Sequence, residues 1–151
     1  MRALVQRVSS AAVHSRPAPD ESAVETGRIG LGLVAFVGVT HTDGRAQAEK
    51  LAAKLYRLRI FPDASGSLQL SCEEVGGSVL VVSQFTLYAD TRKGRRPSFV
   101  AAAGPEVAEP LLDHVVDELR SLGAPVATGR FRTHMEVSLV NDGPVTLLVE
   151  V

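Results

Sequence analysis

Residues 31–39, Leu-Gly-Leu-Val-Ala-Phe-Val-Gly-Val, contain no polar side chain. A short run this rich in valine reads as a β-strand buried on both faces, inside a sheet covered from both sides. A second valine-rich segment, residues 78–83, follows Gly76-Gly77 and reads the same way. The apolar run reaches back to Ile29, giving 11 residues, well short of the roughly 20 that a membrane-spanning helix needs. The fold is therefore organised around buried strands and not around a membrane.

Other segments supply the remaining elements. Residues 2–8 alternate, with Leu4 and Val8 on one face and Ala3, Val5 and Arg7 on the other, and so predict a strand. A second short strand is expected at 11–14. The stretch 15–25, with Pro17 and Pro19, reads as a polar loop or an irregular hairpin tip. Asp43 is placed to cap a helix running to about Leu58, with the stripe Ala48, Leu51, Ala52, Leu55 and Leu58. A strand at 59–61 would end in the turn Pro62-Asp63-Ala64-Ser65-Gly66.

The second helix is expected to start near Pro105 and to stop at Gly123. Its stripe aligns Val107, Leu111, Val115 and Leu119 with Ala108, Leu112 and Val116. Strands at 135–140 and 145–151 flank the tetrad Asn141-Asp142-Gly143-Pro144. This order predicts an α+β fold with mixed or antiparallel, barrel-like sheets and two main helices. So apolar a C-terminal strand is also an expected place for a second subunit to complete the sheet.

A chain of 151 residues fits one domain and buries roughly 70% of its unfolded surface. Tryptophan is absent and aromatics are 5%, so Val, Leu and Ala must fill the interior. The single cysteine, Cys72, excludes an intrachain disulfide and any cysteine-built zinc cage. Arg2 and Arg7 interrupt the N-terminus too early for a signal peptide, so the expectation is a cytoplasmic protein without membrane partners. A net charge of −1 argues against nonspecific coating of nucleic acid. It leaves room for a local patch, and Arg92, Lys93, Arg95 and Arg96 form a short basic run.

Standard catalytic signatures are missing: no nucleophile elbow, no phosphate-binding loop and no dinucleotide glycine pattern. The histidines His14, His41, His114 and His134 share no metal-ligand spacing. His114 and Asp117 lie one helical turn apart, which reads as a solvated helix face. A Ser83–His134–Asp triad is compatible with the sequence, but nothing signals it.

Two segments stand out. Ser83-Gln84-Phe85-Thr86 places hydroxyls and an amide at the end of a buried strand, where such groups can polarise a carbonyl or simply satisfy a strand end. Asn141-Asp142-Gly143-Pro144 reads first as a hairpin turn. With a cis Gly143-Pro144 bond it would instead present two neighbouring carbonyls rigidly in one direction.

Together these two segments resemble the paired motifs of the D-aminoacyl-tRNA deacylases. The likeness extends through Arg2-Ala3-Leu4-Val5-Gln6-Arg7-Val8, Gly76 to Val82, Arg95-Arg96-Pro97-Ser98-Phe99 and Val145-Thr146. The resemblance implies a homodimer with active sites at the subunit interface. A cis Gly143-Pro144 would reach into the pocket of the other subunit and face its Ser83-Gln84-Phe85-Thr86 segment. That pocket would take the 3′-terminal adenosine of an aminoacyl-tRNA, with Phe85 and Met135 on the adenine side and Arg7 bracing the Gly-Pro loop.

Backbone donors near Phe85 and Thr86 would stabilise the oxyanion. Water would attack with help from the ribose 2′-hydroxyl, so the resemblance implies neither cofactor nor metal. Thr86 is either a positioning residue or a hydroxyl nucleophile. An L-side chain would clash with the Gly143-Pro144 wall, whereas glycine would pass.

This chain departs from the family pattern in two places. Gly129-Arg130-Phe131-Arg132-Thr133-His134-Met135 carries a bulky Arg132 where relatives have a small residue, and the 15–25 loop is long and proline-rich. Two other readings share parts of the pattern. One is a hydrolase of small esters or amides that needs no RNA. The other is a non-catalytic dimeric binding module in which Gly143-Pro144 is a plain trans turn.

Overall fold

The computed structural model describes residues 1–151. The apolar run forms β3 (Gly32–Gly38), flanked by β1 (Arg2–Arg16) on one edge and β6 (Ser78–Ser83) on the other. Pairing with β1 is antiparallel and pairing with β6 is parallel, so the sheet is mixed. It has six strands in the order β2 (Val24–Ile29), β1, β3, β6 and β7 (Val126–Thr128), with β8 (His134–Glu150) on the other edge of β1.

The N-terminal segment is one strand of 15 residues, where the sequence predicts two. Ser9 and Ser10 interrupt the alternation because both are exposed, beside the point where the register against β8 (His134–Glu150) shifts. Beyond that shift β1 pairs with β2 (Val24–Ile29), which occupies the end of the predicted 15–25 loop and continues past it. The β2 sequence lacks an apolar face because only Ile29 in it is buried.

Helix α1 (Arg45–Arg57) buries Ala48, Leu51, Ala52 and Leu55, as the stripe predicts. Each fully buried leucine contributes about 1.5–3 kcal/mol. Its N-cap is Gly44 and not Asp43. The Gln47 side chain accepts the Gly44 N–H at 3.0 Å. Asp43 is drawn instead to the N-terminal ammonium, with Oδ1 2.5 Å away. Leu58 lies just past the helix.

The short strand β4 (Phe61–Pro62) pairs with β5 (Leu68–Leu70), making a separate two-stranded sheet. Helix α2 (Pro105–Ser121) starts on Pro105 and ends before Gly123, whose φ is 92°. Its core residues are Ala108, Leu112, Val115, Val116 and Leu119, while Val107 is exposed. Strand β7 (Val126–Thr128) has three residues, too few to produce a readable alternation.

The sheet divides the interior into two faces. Ala3, Val5, Leu33, Val37, Val79 and Val81 join the two helices in a core of 25 buried residues. Val8, Val13, Val34, Leu80 and Val82 belong to a second cluster on the other face. The barrel is nearly closed where β2 meets β7. At Gly27 an added Cβ would lie 2.8 Å from the Thr128 carbonyl oxygen, so only glycine permits that approach.

The C-terminal segment corrects the hairpin reading. Residues on both sides of Asn141-Asp142-Gly143-Pro144 pair with β1, from Arg16↔His134 to Val8↔Asn141 and from Gln6↔Thr146 to Arg2↔Glu150. The tetrad is therefore a bulge in one continuous strand, β8, and the chain does not reverse there.

Candidate active site

Because β3 and β6 run parallel, their C-terminal ends lie side by side, with Val37 opposite Ser83. The Gln84 N–H donates to the Val37 carbonyl at 2.8 Å, and the chain then turns into a 3₁₀ segment, Phe85–Tyr88. Like the start of any helix, this turn leaves its first N–H groups, those of Phe85 and Thr86, without partners inside it. The absence of a side chain at Gly38 lets the turn pack close, since a Cβ there would meet the Gln84 carbonyl oxygen at 3.0 Å. Arg2 clamps the far end by donating to the Leu87 carbonyl at 3.3 Å and lying 4.6 Å from the Tyr88 ring centroid. Burial raises the pKa of the Tyr88 phenol above its ordinary value.

A cavity of about 360 Å³ opens beside this turn. Nine of its 13 lining residues are apolar, including Val37, Phe85, Phe99, Ala102, Leu112 and Phe131. Its size and lining suit a nucleoside-sized ligand. Phe85 and Phe99 meet edge to face with ring centroids 5.1 Å apart, yet Phe85 remains 57% exposed. An aromatic left open at the mouth of an apolar cavity is available for stacking. The polar edge consists of Ser83, Gln84 and Arg132. Thr86 stands next to it and accepts a hydrogen bond from the Gln84 amide.

Ser83, Gln84, Phe85 and Thr86 are thus brought together. Phe99 and Phe131 are cavity-wall residues that periodicity does not flag. Their signal is an aromatic side chain outside any helical or strand stripe.

The other motif lies elsewhere on the same chain. Gly143 and Pro144 form an exposed tip with a cis peptide bond between them, and neither lines the cavity. Arg7, buried among the strands, donates from Nε to the Asp142 carbonyl at 3.1 Å and from Nη1 to the Ile60 carbonyl at 2.5 Å. Asn141 closes the other side of the bulge, donating to the Arg7 and Val145 carbonyls at 2.9 and 3.1 Å. Met135 is half-buried against the second cluster and does not line the cavity. A Cβ on Gly129 would meet its sulfur at 2.5 Å.

The histidines take no part in this cavity. His134 faces Glu136 at 3.8 Å and makes no contact with Ser83 that would build a triad. His114 pairs with Glu49 of α1 at 3.2 Å and not with Asp117, which faces Arg120. No three His, Cys, Asp or Glu side chains converge as a metal site, and no helix is long and apolar enough to cross a membrane.

The chain is a nearly closed α+β barrel with this cavity at its parallel strand ends, and its curated relatives are hydrolases acting on ester bonds. The chain belongs to the D-Tyr-tRNA(Tyr) deacylase family, whose model matches residues 4–150, and its curated relatives are D-aminoacyl-tRNA deacylases. The D-aminoacyl-tRNA deacylase of Thermomicrobium roseum is 55% identical over 150 residues, covering 99% of this chain and 94% of that one. The D-aminoacyl-tRNA deacylase of Thermobifida fusca is 55% identical over 155 residues, covering 100% of both. Among solved structures, the c-Myc DNA unwinding element binding protein is similar with a TM-score of 0.89. Its identity is 33%, covering 100% of this chain and 99% of that one.

Proposed function

We propose that the chain works in the cytoplasm as a homodimer that frees tRNA from D-aminoacyl groups and from mischarged glycine. In this reading the Gly143-Pro144 tip of each copy completes the cavity of the other. One observation carries it: the tip is exposed and outside the cavity of its own chain. An apolar strip on neighbouring strands supports a second copy as its cover. Leu4 pairs with Leu148 on one side and Phe36 on the other, and Leu148 is 55% exposed.

The terminal adenosine enters the cavity with its base near Phe85, and the ester carbonyl lies at the Phe85 and Thr86 N–H groups. Water adds to the carbonyl carbon, and the oxygen that becomes negative is held by those donors, a contribution worth about 3–4 kcal/mol per donor. The bond to the ribose oxygen then breaks. That oxygen takes up a proton, relayed through the neighbouring 2′-hydroxyl, and the amino acid leaves as a carboxylate.

The Gly143-Pro144 wall accepts the substrate amino group and leaves no room for an L-side chain. Selectivity then arises from a clash that the D-isomer avoids, and glycine, with no side chain, is hydrolysed as well. Arg7 and Asn141 keep the wall in place through the contacts given above. Met135 acts from behind the 129–132 segment, on the adenine side.

The test compares D-tyrosyl-, L-tyrosyl- and glycyl-tRNA under one set of conditions, alongside the sedimentation mass. The expected result is a dimer that releases D-tyrosine and glycine much faster than L-tyrosine. Equal rates on both tyrosyl isomers would remove the wall from the mechanism, and a fully active monomer would remove the partner.

A further inference from the structure

Arg132 has a φ of 56°, the one residue other than glycine with positive φ in the chain. L-residues avoid this region because Cβ crowds the backbone, and glycine does not. The turn imposes the conformation from both sides. The Thr133 hydroxyl donates to the Arg130 carbonyl at 2.8 Å, and the Arg130 N–H donates to the Ser15 hydroxyl at 3.2 Å. A position suited to glycine therefore holds the longest cationic side chain, and such outliers gather where function demands them.

The side chain lines the cavity rim, and it is the single charged residue among the lining residues. It is exposed, and none of the ion pairs in the chain involves it. A free guanidinium at the mouth of an apolar cavity calls for an anion in the ligand.

The ligand class limits which anion that is. An aminoacyl group joined as an ester has lost its carboxylate, and its amino group is a cation that arginine would repel. The nearest anion to the terminal nucleoside is the phosphodiester on its 5′ side. We infer that Arg132 binds this phosphodiester, which makes it a positioning residue that distinguishes an RNA end from a free aminoacyl nucleoside. The inference rests on the proposed seating of the terminal adenosine in this cavity. A planar fork of donors suits two phosphate oxygens.

The experiment compares D-tyrosyl-tRNA with 3′-O-(D-tyrosyl)adenosine, which keeps the ester and nucleoside but has no phosphate. Wild-type protein is expected to hydrolyse both. Arg132→Gln should lower kcat/KM for the tRNA about tenfold relative to the adenosine ester, as loss of one charge-assisted contact predicts. The loss should fall on KM, and the slope of log KM against log salt should drop by roughly 0.7–0.9. Arg132→Lys should recover part of the difference. Arg132→Gly should lose the tRNA preference while its Tm holds or rises, because glycine adopts this φ freely.

Equal losses on both substrates, or no loss on either, would overturn the assignment. So would a fall in Tm for Arg132→Gly, which would mark a packing role. Wild-type protein inert on both substrates would sink the deacylase reading and this inference together.

Discussion

Arg7 and Asp142 face each other across the bulge where β1 and β8 lose register. Arg7 Nε lies 2.8 Å from the Asp142 carboxylate and 3.1 Å from its carbonyl oxygen. The arginine is nearly buried, whereas the Asp142 side chain is 46% exposed. Removing Arg7 therefore strands the Ile60 and Asp142 carbonyls, while removing the Asp142 charge leaves both carbonyls paired. Arg7→Ala is expected to cost about 2 kcal/mol, lowering Tm by roughly 4–8 °C for a domain of this size. Asp142→Asn should cost under about 1 kcal/mol, as exposed ion pairs do. Thermal unfolding of the two variants checks this, and equal losses would show that the carboxylate dominates.

The same bulge shows how far the sequence could be read. Strands β3 and β6 and the buried stripes of both helices follow from apolar periodicity, because burial on that scale leaves a continuous pattern. The continuity of β1 and β8 does not. Ser9-Ser10 and Asn141-Asp142-Gly143-Pro144 have turn-like chemistry, and only their shared partner strand keeps them in line. Strands β2 and β7 were hidden because their pairing depends on backbone contacts and not on apolar side chains.

At the candidate site, the strand-end position of Ser83 to Thr86 was legible because polar residues follow a buried strand. The distance of Gly143-Pro144 from its own cavity was not, since separation in space has no local signal. Asp43 looked like a helix cap until the N-terminal ammonium, remote in sequence, competed for it.

Gly27 tests the closure of the barrel. A methyl group there would press on the Thr128 carbonyl at 2.8 Å and on its nitrogen at 3.1 Å, both backbone atoms that move only with the strand. Gly27→Ala is expected to destabilise by about 1–3 kcal/mol, read as a lower urea midpoint with little change in m. A midpoint unchanged or raised would mean that β2 and β7 separate at little cost.

Cys72 is fully buried, and its thiol lies 3.8 Å from the Ser78 carbonyl. Burial pushes its pKa up to about 12, so the reactive thiolate is almost absent near neutrality. An alkylating reagent should label the folded protein at pH 8 at the rate of unfolding and label it rapidly in denaturant. The same shift sets a pH dependence. Its stabilising contribution is complete below the unfolded thiol value of about 8.5 and is lost as pH rises toward the folded value. Cys72→Ala should flatten the alkaline fall in Tm, and fast labelling of the native protein at pH 8 would contradict the burial.

The basic run is held open by one carboxylate. Asp90 accepts the Arg92 backbone N–H at 3.0 Å and its guanidinium at 2.9 and 2.7 Å. These contacts, the side-chain ones first, hold the Asp90 carboxyl well below the usual range. A depressed carboxylate keeps its partner above its unfolded value and releases it only as pH falls through the folded one. The brace therefore stays intact across neutral and mildly acidic pH. It occupies Arg92 and leaves Lys93, Arg95 and Arg96 exposed, close in sequence to Phe99 of the cavity wall. Replacing all three with glutamine should raise KM for D-tyrosyl-tRNA and reduce its salt slope by roughly two, at about 0.7 per single-stranded phosphate contact. Hydrolysis of the phosphate-free adenosine ester should be far less affected. Measuring KM from low to moderate salt separates the cases: an unaltered slope in the triple variant means that the RNA leaves the cavity by another face.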